Sequence, residues 1–440
     1  MCSYVTIYSY SCPVFKDNRH FFPFADRLVR AGATKPVKRA IWGNIWLPSV
    51  SNGVNYDGLP MTTDRKKPRV FMSANEPSAD AHCAEVIGAL KQGGADVDVV
   101  GIGGPKMEAA GCELLENTVG RAVMTHKAIA HAGHYYKLIR RVARYLRENP
   151  VDLVVVCDSP SFNFHIAKAA KRAGTRTLFF VAPQLWAWGG WRIRKLRRCC
   201  DKLCCLLPFE EAWFGQRGVD TTFVGNPLLD KVPEDLTSYR KDYSGFDPRH
   251  ARIGLMPGSR LGEIESLWQP MQEIALRLKR DFPAAHFVAV ATTEERRELL
   301  KDKQIPGLAC EYSVDSVTET ADAVDFCVVA SGSATLEVGS AGCPMVVMYQ
   351  TSRILWELLG RWLVRPPFFT LINLLADREL APEFMPYFTS IDPIVAKITA
   401  FLNDSETLNR ISNELIDVVE PLTAKRAGAE VARIVVGMLE

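Results

Sequence analysis

The residues best suited to chemistry in this chain stand directly after short apolar runs. Ile253–Met256 is followed by Pro257-Gly258-Ser259-Arg260, and Glu263 comes one turn later. A run of this kind ended by Pro-Gly reads as a buried strand meeting a turn, with an amphipathic helix opening at Arg260 and Glu263. Unpaired N–H groups at such a turn favour anions, and Gly258 lets the backbone approach closely. Arg260 adds a forked donor suited to phosphate oxygens. The plainer alternative is a β-turn with a surface arginine. Val329–Glu337 repeats the strand-to-helix pattern. Ser331, Gly332 and Ser333 form a small-residue turn whose N–H groups could hold a diphosphate. Glu337, inside the helix, could accept from sugar hydroxyls or stand as a solvated helix carboxylate. Asp158 follows Leu153–Cys157 directly, which puts it at a carboxyl strand end. There it is either a helix cap or a general base, which needs only reach of a hydroxyl and some desolvation.

Two further stretches combine Trp and Leu with Arg. Trp186, Trp188 and Trp191 precede Arg192, Arg194, Lys195, Arg197 and Arg198, while 353–365 holds Leu355, Trp356 and Trp362 among three arginines. Basic residues beside exposed Trp and Leu suit an interfacial helix on anionic lipid, and a core helix with solvated charges would share the pattern. Other constellations carry less. Gly101-Ile102-Gly103-Gly104-Pro105 does not complete G-x-G-x-x-G, so a nicotinamide site is not expected. Cys199, Cys200, Cys204 and Cys205 lack paired Cys-x-x-Cys spacing, and His126, His131 and His134 do not share a helical face at metal-ligand spacing. No metal is expected, and the 12 cysteines read as reduced thiols.

These residues must be positioned by something larger than one ordinary core. At 440 residues the chain calls for two domains. Its 48 % hydrophobic and 23 % charged content are those of a globular protein. Lys+Arg 53 against Asp+Glu 50 leaves +3, which argues against wholesale nucleic-acid binding. No apolar run is long enough to span a bilayer, and the start lacks the apolar core of a signal peptide, so a cytoplasmic protein is expected.

Residues 1–66 show no sustained periodicity and are expected to be a non-native or disordered extension, with translation starting at Met61. From 67 to 225, apolar strands at Val70–Ser73, Val97–Ile102, Leu153–Cys157, Thr177–Val181, Lys202–Leu207 and Thr222–Val224 alternate with helical segments. The stretch 226–250, rich in Asp, Pro and charge, reads as a linker. A second series over 251–390 uses Ile253–Met256, His286–Ala291, Phe326–Ala330 and Met345–Tyr349, and 391–440 reads as C-terminal helices. The resulting fold class is α/β, two Rossmann-like parallel-sheet domains facing a central cleft.

Taken in order, several stretches resemble the lipid-A-disaccharide synthases. They are GIGGPKM (101–107), the Asp158–Asn163 loop, LWAW with the basic residues after it (185–198), LLPFEEAWF (206–214) and VGNPLLD (224–230). LMPGSRLGEI (255–264), SGSATLE (331–337), PMVVMY (344–349) and NLLADRELAPEF (373–384) complete the series. The resemblance spans about 69 to 388. It implies a GT-B glycosyltransferase that joins UDP-2,3-diacylglucosamine to 2,3-diacylglucosamine 1-phosphate, forming a β-1,6-linked lipid A precursor and UDP without metal or organic cofactor. The expected donor contacts are Gly258, Ser259, Arg260, Glu263, Ser331, Gly332, Ser333 and Glu337, to which the resemblance adds Asn373; it implies Glu76, Ser78 and Asp80 as an acceptor loop. It also implies a lipid surface at the cytoplasmic face of the inner membrane; a homodimer is among the expected assemblies. The membrane contacts would be Trp188, Trp191, Arg194, Arg197, Leu355, Trp356 and Trp362.

The chain departs from the family pattern at Asn75 and Ala79, where the acceptor loop has glycines, and at Ser161, Asn226, Ile372, Asp377 and Pro386. Where a glycine serves a positive φ or a close approach, its replacement is costly. Two alternatives therefore stand beside the main reading: a related GT-B enzyme with another UDP-sugar, and a non-catalytic paralogue that binds lipid or nucleotide.

Overall fold

The computed structural model describes residues 67–119, 128–353, 356–357 and 367–440. The expected extension 1–66 lies outside the described residues, as do His126, Leu355 and Trp362. In the first half the strands are β1 (Arg69–Ser73), β2 (Asp98–Gly103), β3 (Glu113–Asn117), β4 (Leu153–Cys157), β5 (Arg176–Phe180), β6 (Lys202–Cys205) and β7 (Thr221–Phe223). They form one sheet in the order β3-β2-β1-β4-β5-β6-β7, every neighbouring pair parallel. The second half contributes β8 (Arg252–Met256), β9 (His286–Ala291), β10 (Glu311–Val314), β11 (Phe326–Ala330), β12 (Met345–Met348) and β13 (Glu383–Phe384). Their order is β10-β9-β8-β11-β12-β13, again all parallel. Each sheet therefore reverses its winding at one place, between β1 and β4 in the first and between β8 and β11 in the second. In open α/β sheets, such switch points leave a crevice at the carboxyl ends of the strands.

The central strands are apolar on both faces because helices cover both. Along β4, Leu153, Val155 and Cys157 join Val70, Met72 and Phe180 against Val86 and Ile87 of the helix Pro77–Gln92. Val154 and Val156 turn the other way, with Phe71 and Phe179, toward Leu138 and Val142 of Ala128–Glu148 and Ile166 of Pro160–Arg172. Alternation with period two on a doubly covered sheet produces the continuous run LVVVC. The strands missing from the sequence reading, β3, β10 and β13, are the short or polar segments ELLEN, EYSV and EF at the sheet edges. An edge strand is covered less, so its sequence carries no apolar run.

The tail divides. Asp392–Leu402 and Ser405–Val419 stay with the second sheet, where the Phe401 ring meets Phe326 at 5.8 Å. Ala427–Leu439 returns to the first half and packs Val431 and Val435 onto the face that carries Pro77–Gln92. Arg426 secures that return by donating to the carbonyls of Leu229, Asp230 and Val232. The linker 226–250 is fastened to the second half: the Tyr243 hydroxyl donates to the Asp325 carbonyl at 2.6 Å and the Lys241 Nζ to that of Val324 at 2.8 Å.

Candidate functional site

In the second half, the loops after β8 and β11 flank the switch point and enclose a pocket. Gly258, Ser259, Arg260, Glu263, Ser331, Gly332, Ser333 and Glu337 all line it, eight of the nine residues expected on the donor side. Gly258 adopts φ +100°, and a Cβ there would strike the Glu263 carboxylate, so the turn requires glycine. The Glu263 carboxylate accepts from the N–H groups of Ser259 (3.0 Å) and Arg260 (3.2 Å), with its second oxygen 3.6 Å from the Arg260 guanidinium. This corrects the expectation for that turn: two of its N–H groups are already held by a carboxylate, and Arg260 is its remaining strong donor toward an anion. Across the pocket, Gly332 does not take a left-handed φ, and a Cβ on it would meet nothing within 4 Å. Ser331 is tied by its N–H to the Met348 carbonyl, while the Thr335 hydroxyl donates to the Gly332 carbonyl.

Glu337 lies half-buried in this pocket, and burial, reinforced by the negative charges of Asp315 and Glu319, pushes its carboxyl up to about 7. A carboxyl in that state can accept or donate to a hydroxyl pair. Thr292 and Val317 also line the wall. Sequence reading passed over Thr292, although it follows β9 directly and the strand-end rule that marked Asp158 applies to it equally.

Asn373 does not join this group. It is fully buried, its amide donating to the Ala381 carbonyl and to Glu383, its oxygen accepting from Leu380 and Ala381 N–H. With its hydrogen-bonding capacity used inside the fold, it shapes the 377–383 loop and offers a ligand nothing. Asp377, where the family carries glycine, sits at φ +52° just after the helix Leu371–Ala376. That is a helix-ending conformation glycine serves best and Asp tolerates.

In the first half, the loops after β1 and β4 flank the switch point. Asp158 and Ser159 take φ +51° and +41°, two successive left-handed residues at the strand end, and Val181, the first residue after β5, takes +66°. Such conformations cost free energy that the surrounding structure must offset. Asn163 holds the bend by donating to the carbonyls of Cys157 and Asp158 at 2.8 Å, while accepting from Ser73 Oγ at 2.7 Å. The helix after it is capped at Ser159 without a side-chain bond, so Asp158 does not act as its cap. Burial, then the charge of Glu76, raises the Asp158 carboxyl above the ordinary range. Ser159 Oγ donates to Glu76 at 2.9 Å and so ties the two loops together.

The acceptor-loop expectations separate. Glu76 and the exposed Ser78 stand at the start of Pro77–Gln92, but Asp80 is buried. Its carboxylate accepts from Gly104 (2.8 Å), Lys106 (3.1 Å) and Met107 (3.0 Å) N–H, making it the anchor of the GIGGPKM turn. Gly101 and Gly104 are glycines because a Cβ would strike the Met72 carbonyl and the Asp80 carboxylate respectively. Asn75 and Ala79 have no positive φ, and Ala79 packs inside the helix, so these departures cost the backbone nothing here.

On the proposed lipid face, Trp191 is 70 % exposed with Arg194 and Arg197 exposed beside it. Trp188 is half-buried under the Arg192 guanidinium, 4.1 Å from its ring centre. Trp356 is half-buried too, its ring edge-on to Phe369 at 5.7 Å. Packing therefore holds both, and Trp191 is the tryptophan of these two stretches that stands out among the described residues.

A family model described as lipid-A-disaccharide synthetase matches residues 70–431. The lipid-A-disaccharide synthase of Geobacter metallireducens is 32 % identical over 374 residues, covering 84 % of this chain and 97 % of that protein. Among solved structures, the glycotransferase of kitacinnamycin aligns over 85 % of this chain and 100 % of its own, with TM-score 0.54 and 14 % identity. The UDP-GlcNAc 2-epimerase of Neisseria meningitidis, solved bound to UDP-GlcNAc, aligns over 85 % and 99 % with TM-score 0.53 and 12 % identity. At such identities the structural likenesses establish the two-sheet fold and nothing further.

Proposed function

Because the chain belongs to the lipid-A-disaccharide synthase family, glycosyltransferases of the GT-B fold, we propose that it transfers 2,3-diacylglucosamine from UDP to 2,3-diacylglucosamine 1-phosphate. One observation carries the reading: the family's polar motif residues collect at the switch points of the two sheets, Asp158 and Glu76 at one and Arg260, Ser331, Gly332 and Glu337 at the other. Switch points are where this architecture binds ligands. A β-linked product from an α-linked sugar nucleotide requires inversion, hence direct attack by the acceptor 6-hydroxyl opposite the departing UDP. Asp158, desolvated and raised in basicity, takes the hydroxyl proton as the bond to the anomeric carbon forms. Arg260 stabilises the charge that grows on the departing diphosphate, and the open backbone at Gly332 lets the phosphates come close. Glu337 accepts from the ribose hydroxyls.

The acylated substrates belong to a membrane. Among the described residues no helix is long and apolar enough to cross one, so peripheral docking on the inner-membrane face falls to exposed residues such as Trp191, Arg194 and Arg197. Incubating the purified protein with both acylated glucosamine substrates, and reading UDP release together with the disaccharide, tests the reaction. UDP affinity without turnover would favour the binding-only reading, and turnover only with other sugars would favour a different transferase.

A further inference from the structure

Glu210 is 2 % exposed, and among the described residues no cation pairs with it. A buried, unpaired carboxyl costs folding free energy, and burial alone pushes this one up to about 7. Half of its hydrogen bonding has a local explanation. Glu210 is the third residue of the helix Pro208–Gly215, and its Oε2 reaches back to the N–H of Leu207 at 3.2 Å, as a helix start often requires. The other half does not. Oε1 accepts from the indole Nε1 of Trp186 at 2.9 Å, a side chain 24 positions earlier on a different loop, and the neighbouring Phe209 meets the Trp186 ring edge-on at 5.0 Å.

Trp186 belongs to the loop that leaves β5. That loop begins at Val181, a β-branched residue held at positive φ, directly after Phe180, whose carbonyl accepts from the Asp158 N–H at 2.9 Å. Leu185 and Ala187, on either side of Trp186, are buried. The loop thus starts one residue from the hydrogen-bond partner of Asp158, and its indole is pinned from β6's side by Glu210 and Phe209.

We infer that Glu210 is a positioning residue for the transfer reaction: through Trp186 it fixes the Ala182–Trp188 loop as the wall against which the acylated amino-sugar acceptor lies beside Asp158. This rests on the acceptor reading of the first-half switch point. Glu210 touches no substrate, so its loss acts through acceptor placement and leaves the nucleotide alone.

A double-mutant cycle tests it. Glu210→Gln keeps the volume, but in either amide orientation it can satisfy only one of the two donors, and Trp186→Phe removes the indole donor. Each single change should raise the acceptor KM by about five- to tenfold. The double variant should be little worse than either single, since the two act through one bond. UDP affinity of Glu210→Gln should stay at the parent value, which reports a folded nucleotide site, while its thermal midpoint should fall because one buried donor loses its acceptor. Unchanged acceptor KM, or fully additive effects, would overturn the inference and leave the pair as packing. Should Trp186→Phe not fold, the acceptor KM of Glu210→Gln decides alone. Asp158→Asn, run in parallel, separates the two readings: full turnover there would sink the base assignment without touching the KM result.

Discussion

The carboxylate of Glu263 accepts a 3.0 Å hydrogen bond from the N–H of Ser259, within the turn that lines the donor pocket. A side chain expected to meet the nucleotide instead completes the loop that presents Arg260. Glu263→Gln retains an acceptor for these amides and removes the charge competing for Arg260. UDP affinity should therefore stay within about fivefold of the parent, the equivalent of about 1 kcal/mol, since the Arg260–Glu263 contact is long at 3.6 Å and Arg260 is partly solvated. Glu263→Ala removes the cap and should lower stability by roughly 0.5–2 kcal/mol. Calorimetry of UDP binding beside thermal melts checks both, and a tenfold loss in the Gln variant would mean that Glu263 contacts the ligand.

Arg260→Ala should weaken UDP binding by roughly 1.5–3 kcal/mol, the range for a charge-assisted contact. The Arg260 side chain is 42 % exposed, so the fold should scarcely respond. Unaltered UDP affinity in the folded variant would remove Arg260 from the site.

Gly332→Ala separates ligand contact from folding. Gly332 takes no left-handed φ, and the added methyl has open space around it. Stability should be unchanged while UDP affinity falls on the order of tenfold, because a Cβ would stand between backbone and phosphate. Parent-like affinity would place the diphosphate elsewhere.

Asp158→Asn keeps size and removes basicity, and turnover should fall on the order of 10²–10⁴ with UDP affinity little changed. The pH dependence has a definite sign. Burial and Glu76 raise the Asp158 carboxyl, so as pH falls the base is protonated, and activity lost, earlier than for an ordinary aspartate. Glu76→Gln removes one of the two raising influences and should move the acid limb of kcat to lower pH. A limb that stays in place would uncouple the two carboxylates. Near-parent turnover in Asp158→Asn would point to Glu76 as the next base to test.

Trp191→Ser should reduce binding to anionic vesicles, and parent binding should weaken as salt rises because surface charges are screened. Trp356→Ser should instead lower the thermal midpoint, since its ring packs on Phe369. Equal vesicle binding by parent and Trp191→Ser would locate the lipid face elsewhere.

The sequence by itself determined the two-sheet class, the central strands and the turns that carry polar residues. A strand covered on both faces must be apolar throughout, as LVVVC and FCVVA are, and the polar residues at its carboxyl end must then belong to a loop. Edge strands such as ELLEN stayed hidden because partial exposure relaxes that demand. Only the tertiary structure could decide what each polar side chain is bonded to. Asp80, Asn373 and Glu263 carry the same motif-borne appearance as Asp158, Arg260 and Glu337, yet their capacity is met by backbone groups: the turn at Gly104 for Asp80, the loop at Leu380 and Ala381 for Asn373, and its own turn for Glu263. The partner of Glu210 is 24 positions distant. Whether a carboxylate is available to a ligand depends on which N–H groups the chain brings within about 3 Å of it, and that is a property of long-range packing that local residue patterns do not encode.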